Sequence, residues 1–375
     1  MMPREEAIPG VIPLLNPSRT QFVRNLEASG YLESLLWSAV ATVLVIRAFL
    51  ASTGYPQLGG RGLHIAHMLW GGLLMFLAIV LMLTFLGHDS KRFASIIGGI
   101  GLGTFIDELG KFITSDNDYF YQPTIALIYI IFILMFLAFR EIEHRRKVSP
   151  RDAVANVAEV LVDGVVGGAS PRRLEQAIRL LDQSVLDTPT EKAIRQALET
   201  VHCEEEKSPS LLIHIRAIIS RVYLWLIHTS WFQRVIVFLF ILNAVGLVLI
   251  ALVVAIVAGL GIGAVHVTGL LPSSELSVAT TGELIASLSS SLATVIGVTR
   301  LKVSRLLAYR WFKRSILLSI FFVQVFLFYQ NQLGALIGLG IDLLLLGSLN
   351  VMLIQEATLQ ETRRRAAVVQ PSSKS

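Results

Sequence analysis

The chain has 375 residues, 54% of them hydrophobic and only 16% charged, with a formal net charge of +5. Such a balance excludes an ordinary soluble domain and gives a nucleic-acid partner no support. Its single cysteine, Cys203, excludes an intrachain disulfide.

The first segment, 1–33, is polar and contains Pro3, Pro9, Pro13 and Pro17. It shows no cleavable signal pattern, so the apolar run behind it is expected to be retained. Its last part, 18–33, suits a helix lying at the membrane interface. Apolar runs near 20 residues then recur, long enough to cross about 30 Å of hydrocarbon at about 1.5 Å per residue. In 34–140 the expected spans are 34–53, 63–86, 93–114 and 122–140. Four more are expected within 234–354, at 234–260, 282–300, 315–330 and 333–354. Ser287, Ser289, Ser290, Ser291 and Thr294 dilute the sixth span, which is tolerable where a helix faces other helices. The fold class expected is therefore all-α: a polytopic integral membrane protein of eight helices in a 4+4 arrangement.

Loop charges orient this array. Lys91 and Arg92, then Arg140, Arg145, Arg146 and Lys147, fall on one side. So do Arg300, Lys302, Arg305, Arg310, Lys313 and Arg314, and the basic tail 355–375 with Arg363, Arg364 and Arg365. The opposite loops are nearly free of basic residues, with Arg61 the clearest exception. Cytoplasmic loops retain Lys and Arg, so the protein is expected in the cell membrane, multi-pass, with both termini cytoplasmic.

Between the two sets of spans lies a cytoplasmic insert, 141–233. Ser149-Pro150, Ser170-Pro171 and Thr188-Pro189 each place a capping residue before a proline at the first helical position. Three short helices are expected, packed on each other or on the membrane domain. Leu174, Ile178 and Leu181 mark the apolar face of the second. No nucleotide loop, zinc spacing or catalytic signature occurs there, so the insert reads as structural or as a surface for a protein partner. Residues 210–231 mix Leu211, Ile215, Ile218 and Trp225 with His214, Arg216, Arg221 and His228, a pattern for an interfacial helix.

Ionisable residues inside a bilayer are costly and usually kept for function. Antiparallel pairing of the second and third spans brings Arg47, His64, His67, Asp107, Glu108 and Lys111 into one layer near the extracytoplasmic face. His64, His67 and Gly71 form one helical stripe, and Gly99, Gly103, Asp107 and Gly110 another. Glycines at this spacing permit close approach, so the two stripes are expected to meet. Gly99-Ile-Gly-Leu-Gly103 is thus a packing motif, not a phosphate loop. The spacing of Gly99, Gly103 and Asp107 recurs as Gly334, Gly338 and Asp342. His144, His202, His214, His228 and His266 have no metal spacing and read as loop or interfacial residues.

Three readings of the layer stand open. In the first, His64, His67 and Asp107 hold a divalent metal such as zinc, and Glu108 is general base for hydrolysis of a lipid-like substrate. Arg47 and Lys111 support the layer. In the second, the protein is a proton- or ion-coupled transporter or channel. Asp342 is then a possible proton site, with Asn243, Gln324 and the serines of the sixth span as partners. In the third, the layer is structural and non-catalytic: Asp107 and Glu108 are neutralised by Arg47 and Lys111.

The motifs His64-Ile-Ala-His67, Gly99-Ile-Gly-Leu-Gly-Thr-Phe-Ile-Asp-Glu108 and Asp118-Tyr119 resemble an uncharacterised family of prokaryotic multi-spanning membrane proteins. The similarity covers roughly 60–125. Some members carry a further histidine at the position of Ala66. The resemblance implies a membrane fold and no particular activity.

Overall fold

The computed structural model describes residues 23–53, 67–114, 121, 123–144, 149–166, 169–182, 189–201, 221, 225, 229–259 and 278–369. Among them there is no strand. In chain order the helices are α1 (Ala28–Thr53), α2 (His67–Thr84), α3 (His88–Asp107), α4 (Leu109–Ile113) and α5 (Pro123–His144). The insert supplies α6 (Pro150–Val166), α7 (Pro171–Asp182) and α8 (Pro189–Glu199). Then come α9 (Ser230–Gly259), α10 (Val278–Arg300) and α11 (Arg305–Leu318). A π-helical turn, Ser319–Val323, leads into α12 (Gln324–Asn331), and a 3-10 turn, Gln332–Gly334, into α13 (Ala335–Val369).

Among the described residues, five helical stretches are long and apolar enough to cross a membrane: Ala28–Thr53, His67–Thr84, Pro123–Glu143, Ala279–Arg300 and Arg305–Thr362. The last is not one rod. Gln332, at φ +47°, reverses the chain, and α13 packs back along α11 and α12. The helix that carries the seventh expected span begins before that apolar run, at Arg305. Arg305–Leu318 is already helical because Ala308, Tyr309 and Phe312 bury one face while the arginines take the other. The third expected span is helical too, but its helix α3 starts at His88, and His88, Asp89, Lys91, Arg92 and Asp107 lower its apolar content. The expected interfacial helix 210–231 and Cys203 lie almost wholly outside the described residues.

The exposure pattern suits lipid as the surrounding medium. On α2 the buried residues are Gly71 and Ala78, while Leu83 is 82% exposed. Ile337 on α13 is 75% exposed, whereas Ser348 is buried. Small residues inside and large apolar ones outside is how helices pack when tails, not water, surround them.

The chain divides into two compact units, with boundaries inside α1, α2, α3 and α5. The first comprises Met1–Thr42, Gly71–Leu102 and Ala138–Lys207. Here α6, α7 and α8 each start at the expected proline. Ser149 Oγ accepts from the Asp152 N–H at 3.1 Å, and Asp152 Oδ2 accepts from the Ser149 N–H at 3.2 Å, a reciprocal cap. The three helices share a core of Val157, Val160, Ala177, Leu181 and Leu198. Leu174 packs against it, but Ile178 is 40% exposed and Ala177 takes its expected place.

The insert also docks on the membrane segment through a polar seam. Arg173 donates to Glu27 at 3.0 Å and pairs with Asp163; Lys91 pairs with Glu159. Tyr31 Oη donates to Glu27 Oε2 at 2.8 Å, and His88 Nδ1 lies 2.8 Å from the same oxygen. Burial pushes the Glu27 carboxyl up, but hydrogen bonds from His88 and Tyr31 and the Arg173 charge outweigh it and hold it down at about 2. A carboxyl whose folded pKa is depressed stabilises fully above its unfolded value of 4.5 and loses that contribution as pH falls towards 2. Glu27→Gln should therefore destabilise the chain at pH 7, with the gap to wild type closing between those two values. Unfolding curves across that range check it; a gap of constant size would show that the ionised carboxylate contributes nothing.

The second unit comprises Val43–Trp70, Gly103–Leu137 and Ser208–Ser375. Its core joins Ile236 and Phe240 of α9, Tyr309, Phe312 and Ile316 of α11, and Leu349 and Met352 of α13. Phe240 and Phe312 stack at 4.3 Å. A second cluster sets Ile125, Ala126 and Tyr129 of α5 against Phe328 and Ala335.

Candidate functional site

The second unit holds two polar constellations. In the first, Asp107 ends α3 and Glu108 breaks the helix, with φ −86° and ψ 5°, before α4 begins. Both carboxylates are buried, at 0% and 1% exposure. Arg47 of α1 donates from Nε to Asp107 Oδ1 at 2.7 Å and from a terminal nitrogen to the Asp107 carbonyl at 3.3 Å. Lys111 Nζ donates to Glu108 Oε1 at 3.3 Å. Glu108 Oε2 accepts from the Met68 N–H at 2.8 Å, so it caps the first turn of α2 from a neighbouring helix. His67 lies between the acids, Nε2 being 3.3 Å from Asp107 Oδ2 and Nδ1 3.8 Å from Glu108 Oε2.

The expected layer is thus assembled in Arg47, His67, Asp107, Glu108 and Lys111, while His64 lies outside the described residues. The facing meets expectation where Asp107 lies 3.3 Å from His67 and differs at the glycines. In the first unit a Cβ on Gly99 would meet Ser38 and Leu35 of α1, and one on Gly101 would sit 2.7 Å from the Gly71 carbonyl of α2. So the stripe of Gly99 meets α1, and that of Gly101 meets α2. Within the second unit, Asp107 correspondingly reaches Arg47 on α1, and Glu108, seven residues after Gly101, reaches Met68 on α2.

Chemically, this layer is charge-balanced. Two acids meet two bases, and both Glu108 oxygens and Asp107 Oδ1 are engaged. His67 Nε2 and Asp107 Oδ2 are the pair most nearly placed to share a metal ion. The Arg47 guanidinium on the same carboxylate opposes a second cation there. Among the described residues, no group of three or more His, Cys, Asp or Glu could hold a metal ion. Pairing of Asp107 with Arg47 and of Glu108 with Lys111 is what a structural layer requires.

The second constellation surrounds Asp342 on α13. Asp342 Oδ2 accepts from Ser319 Oγ at 2.8 Å and from Gln324 Nε2 at 3.0 Å. Among the described residues no cation pairs with this carboxylate, and its other oxygen accepts no hydrogen bond. Gln324 is 2% exposed, and its Oε1 has no partner among the described residues. Asp342 lines a cavity of about 570 Å³ with Asn243, Ser287, Ser290, Ser291, Thr294, Ser315 and Ser319. Three of these hydroxyls form a chain: Thr294 Oγ1 lies 2.7 Å from Ser315 Oγ, which lies 3.0 Å from Ser290 Oγ.

The sequence-predicted partners of Asp342 thus gather in one place: Gln324 bonds it, and Asn243 and the serines of α10 share its cavity. Sequence reasoning missed Ser315 and Ser319, which sit at an ordinary four-residue spacing in an arginine-to-phenylalanine stretch. It also missed the π-helical turn at Ser319–Val323, where Tyr129 Oη donates to the Ile320 carbonyl at 2.7 Å. Such turns recur at functional sites because they shift the register of the side chains that follow. Neither the break at Glu108 nor this turn involves a proline. No family model, curated protein or solved structure matches the chain.

Proposed function

We propose that the chain is an eight-span membrane protein in a 4+4 arrangement with both termini cytoplasmic, and that it moves protons or a small monovalent cation by way of Asp342. The observation that carries this reading is the Asp342 carboxylate itself. It sits seven residues into α13, roughly 10 Å from the start of that helix at Ala335. Among the described residues its partners are neutral and one of its oxygens accepts no hydrogen bond, and it opens on a hydroxyl-lined cavity. In apolar surroundings a carboxylate without a fixed counter-ion takes up a proton or a mobile cation. Asp107 and Glu108 have fixed counter-ions and so suit a structural layer.

Gln324 gives the site two settings. Ionised Asp342 accepts from its amide nitrogen; protonated Asp342 would donate to Oε1, which has no partner among the described residues. Ser319, then Ser315 one turn before it, and Thr294 and Ser290 offer a hydroxyl path from the carboxylate.

The test is flux in liposomes under a pH gradient, with and without sodium or potassium. Wild-type protein should dissipate the gradient, and Asp342→Asn, which cannot titrate, should fall to the rate of empty liposomes while folding equally. Wild-type liposomes no leakier than empty ones would sink the reading. For the topology, single cysteines placed in a Cys203→Ser background at 117 and 274 should react with an external label. Cysteines at 147 and 365 should not, and the reverse pattern would reject the orientation.

A further inference from the structure

We infer that a basic groove between α11 and α13 is a binding site for one anionic phospholipid of the surrounding bilayer. The groove encloses about 450 Å³ and is lined by Arg310, Lys313 and Arg314, with Leu306, Leu317, Leu353, Ile354 and Ala357. Leu306, Arg310, Lys313 and Leu317 recur at spacings of four, three and four, one face of α11. Across from them, α13 offers only apolar side chains. The result is three cations set in an aliphatic trough, with no acid among the lining residues. None of the three forms an ion pair among the described residues. Arg314 instead lies over the Trp311 ring, 4.6 Å from its centroid.

Three clustered cations that no described acid neutralises call for an anion from outside. Position selects which anion. From Ser315 to the reversal at Gln332 the helices run 17 residues, roughly 25 Å at helical rise, close to the thickness of a bilayer core. The groove therefore falls where headgroups meet hydrocarbon, opposite the Gln332 turn. A phosphate diester seated on Arg310, Lys313 and Arg314 would leave its acyl chains against Leu317, Leu353 and Ile354. Trp311 beside it is the residue type that prefers this depth. A soluble phosphate would use the cations and waste the aliphatic walls. Basic pockets of this kind recognise anionic headgroups through the same charges that bind phosphate elsewhere.

The inference rests on the reading of α11–α13 as membrane-embedded and is independent of any role for Asp342. The experiment uses the full chain in phosphatidylcholine nanodiscs, with phosphatidylglycerol or phosphatidylcholine brominated on the acyl chains as quencher. The Trp311 contribution is isolated by subtracting the Trp311→Phe variant. Brominated phosphatidylglycerol should quench Trp311 at a mole fraction roughly tenfold below that needed for phosphatidylcholine. The preference should vanish in Arg310→Gln/Lys313→Gln/Arg314→Gln and survive in Arg310→Lys/Arg314→Lys, which keeps the charge and guards against misfolding of the first. Equal quenching by the two lipids in wild type, or a preference that persists in the glutamine variant, would overturn the inference. Protection from quenching by inorganic phosphate alone would overturn it too, assigning the cations to a soluble anion.

Discussion

Arg47→Leu should cost the folded protein about 3–5 kcal/mol, because buried Asp107 loses its guanidinium and must then either hold a desolvated charge or take up a proton. Asp107 is 0% exposed, and Arg47, 10% exposed, engages both its carboxylate and its carbonyl. Water cannot replace the guanidinium at that burial, so the penalty is that of an uncompensated buried acid and not merely a lost bond. Arg47→Leu/Asp107→Leu should recover most of the loss, since replacing both members of a buried pair by apolar groups is often close to neutral. Denaturant unfolding in detergent measures both variants. A double variant as unstable as the single one would show that the loss comes from packing of the Arg47 stem and not from the charge. The same pair bears on function: if the layer is structural, the double variant keeps wild-type ion flux per folded molecule. Under the hydrolytic reading it would lose a ligand and all activity.

Helix starts in the insert were legible because each is written locally, in a capping residue followed by proline. Depth was legible as well. Antiparallel pairing about a turn placed Arg47, Asp107, Glu108 and Lys111 in one layer; for Asp342, polarity alone marked Asn243, Gln324 and the serines of α10 as partners. Azimuth was not. Which neighbour a stripe meets depends on how three helices share their small residues, and α3 splits its glycines between α1 and α2. Asp107 pairs with Arg47 and Glu108 with Lys111, a choice that sequence left open. Local backbone changes were equally silent. The break at Glu108 and the π-helical turn at Ser319–Val323 carry no proline, and only the tertiary bonds of Met68, Ser319 and Gln324 explain their use. Residues 305–314 looked like a charged loop because their arginines mask the buried triad Ala308, Tyr309 and Phe312.

Gly99→Ala should destabilise the protein by about 3 kcal/mol, the upper end of what overpacking costs, although alanine is the better helix former. A Cβ there would overlap the Ser38 hydroxyl and, more seriously, the Leu35 carbonyl of α1. The hydroxyl can rotate away. The carbonyl belongs to a helix backbone and can move only if α1 and α3 separate, losing the close approach that small residues permit in lipid. Gly99→Ala/Ser38→Ala should therefore recover only a minor part of the loss. Gly72 supplies the control on α2: a Cβ there meets nothing within 4 Å, so Gly72→Ala should be neutral or stabilising by up to about 1 kcal/mol. Unfolding of the three variants in the same detergent gives the comparison. Equal stability of Gly99→Ala and Gly72→Ala would mean that α1 and α3 do not cross at Gly99 as closely as the Leu35 carbonyl requires, and the packing role assigned to that glycine would fall.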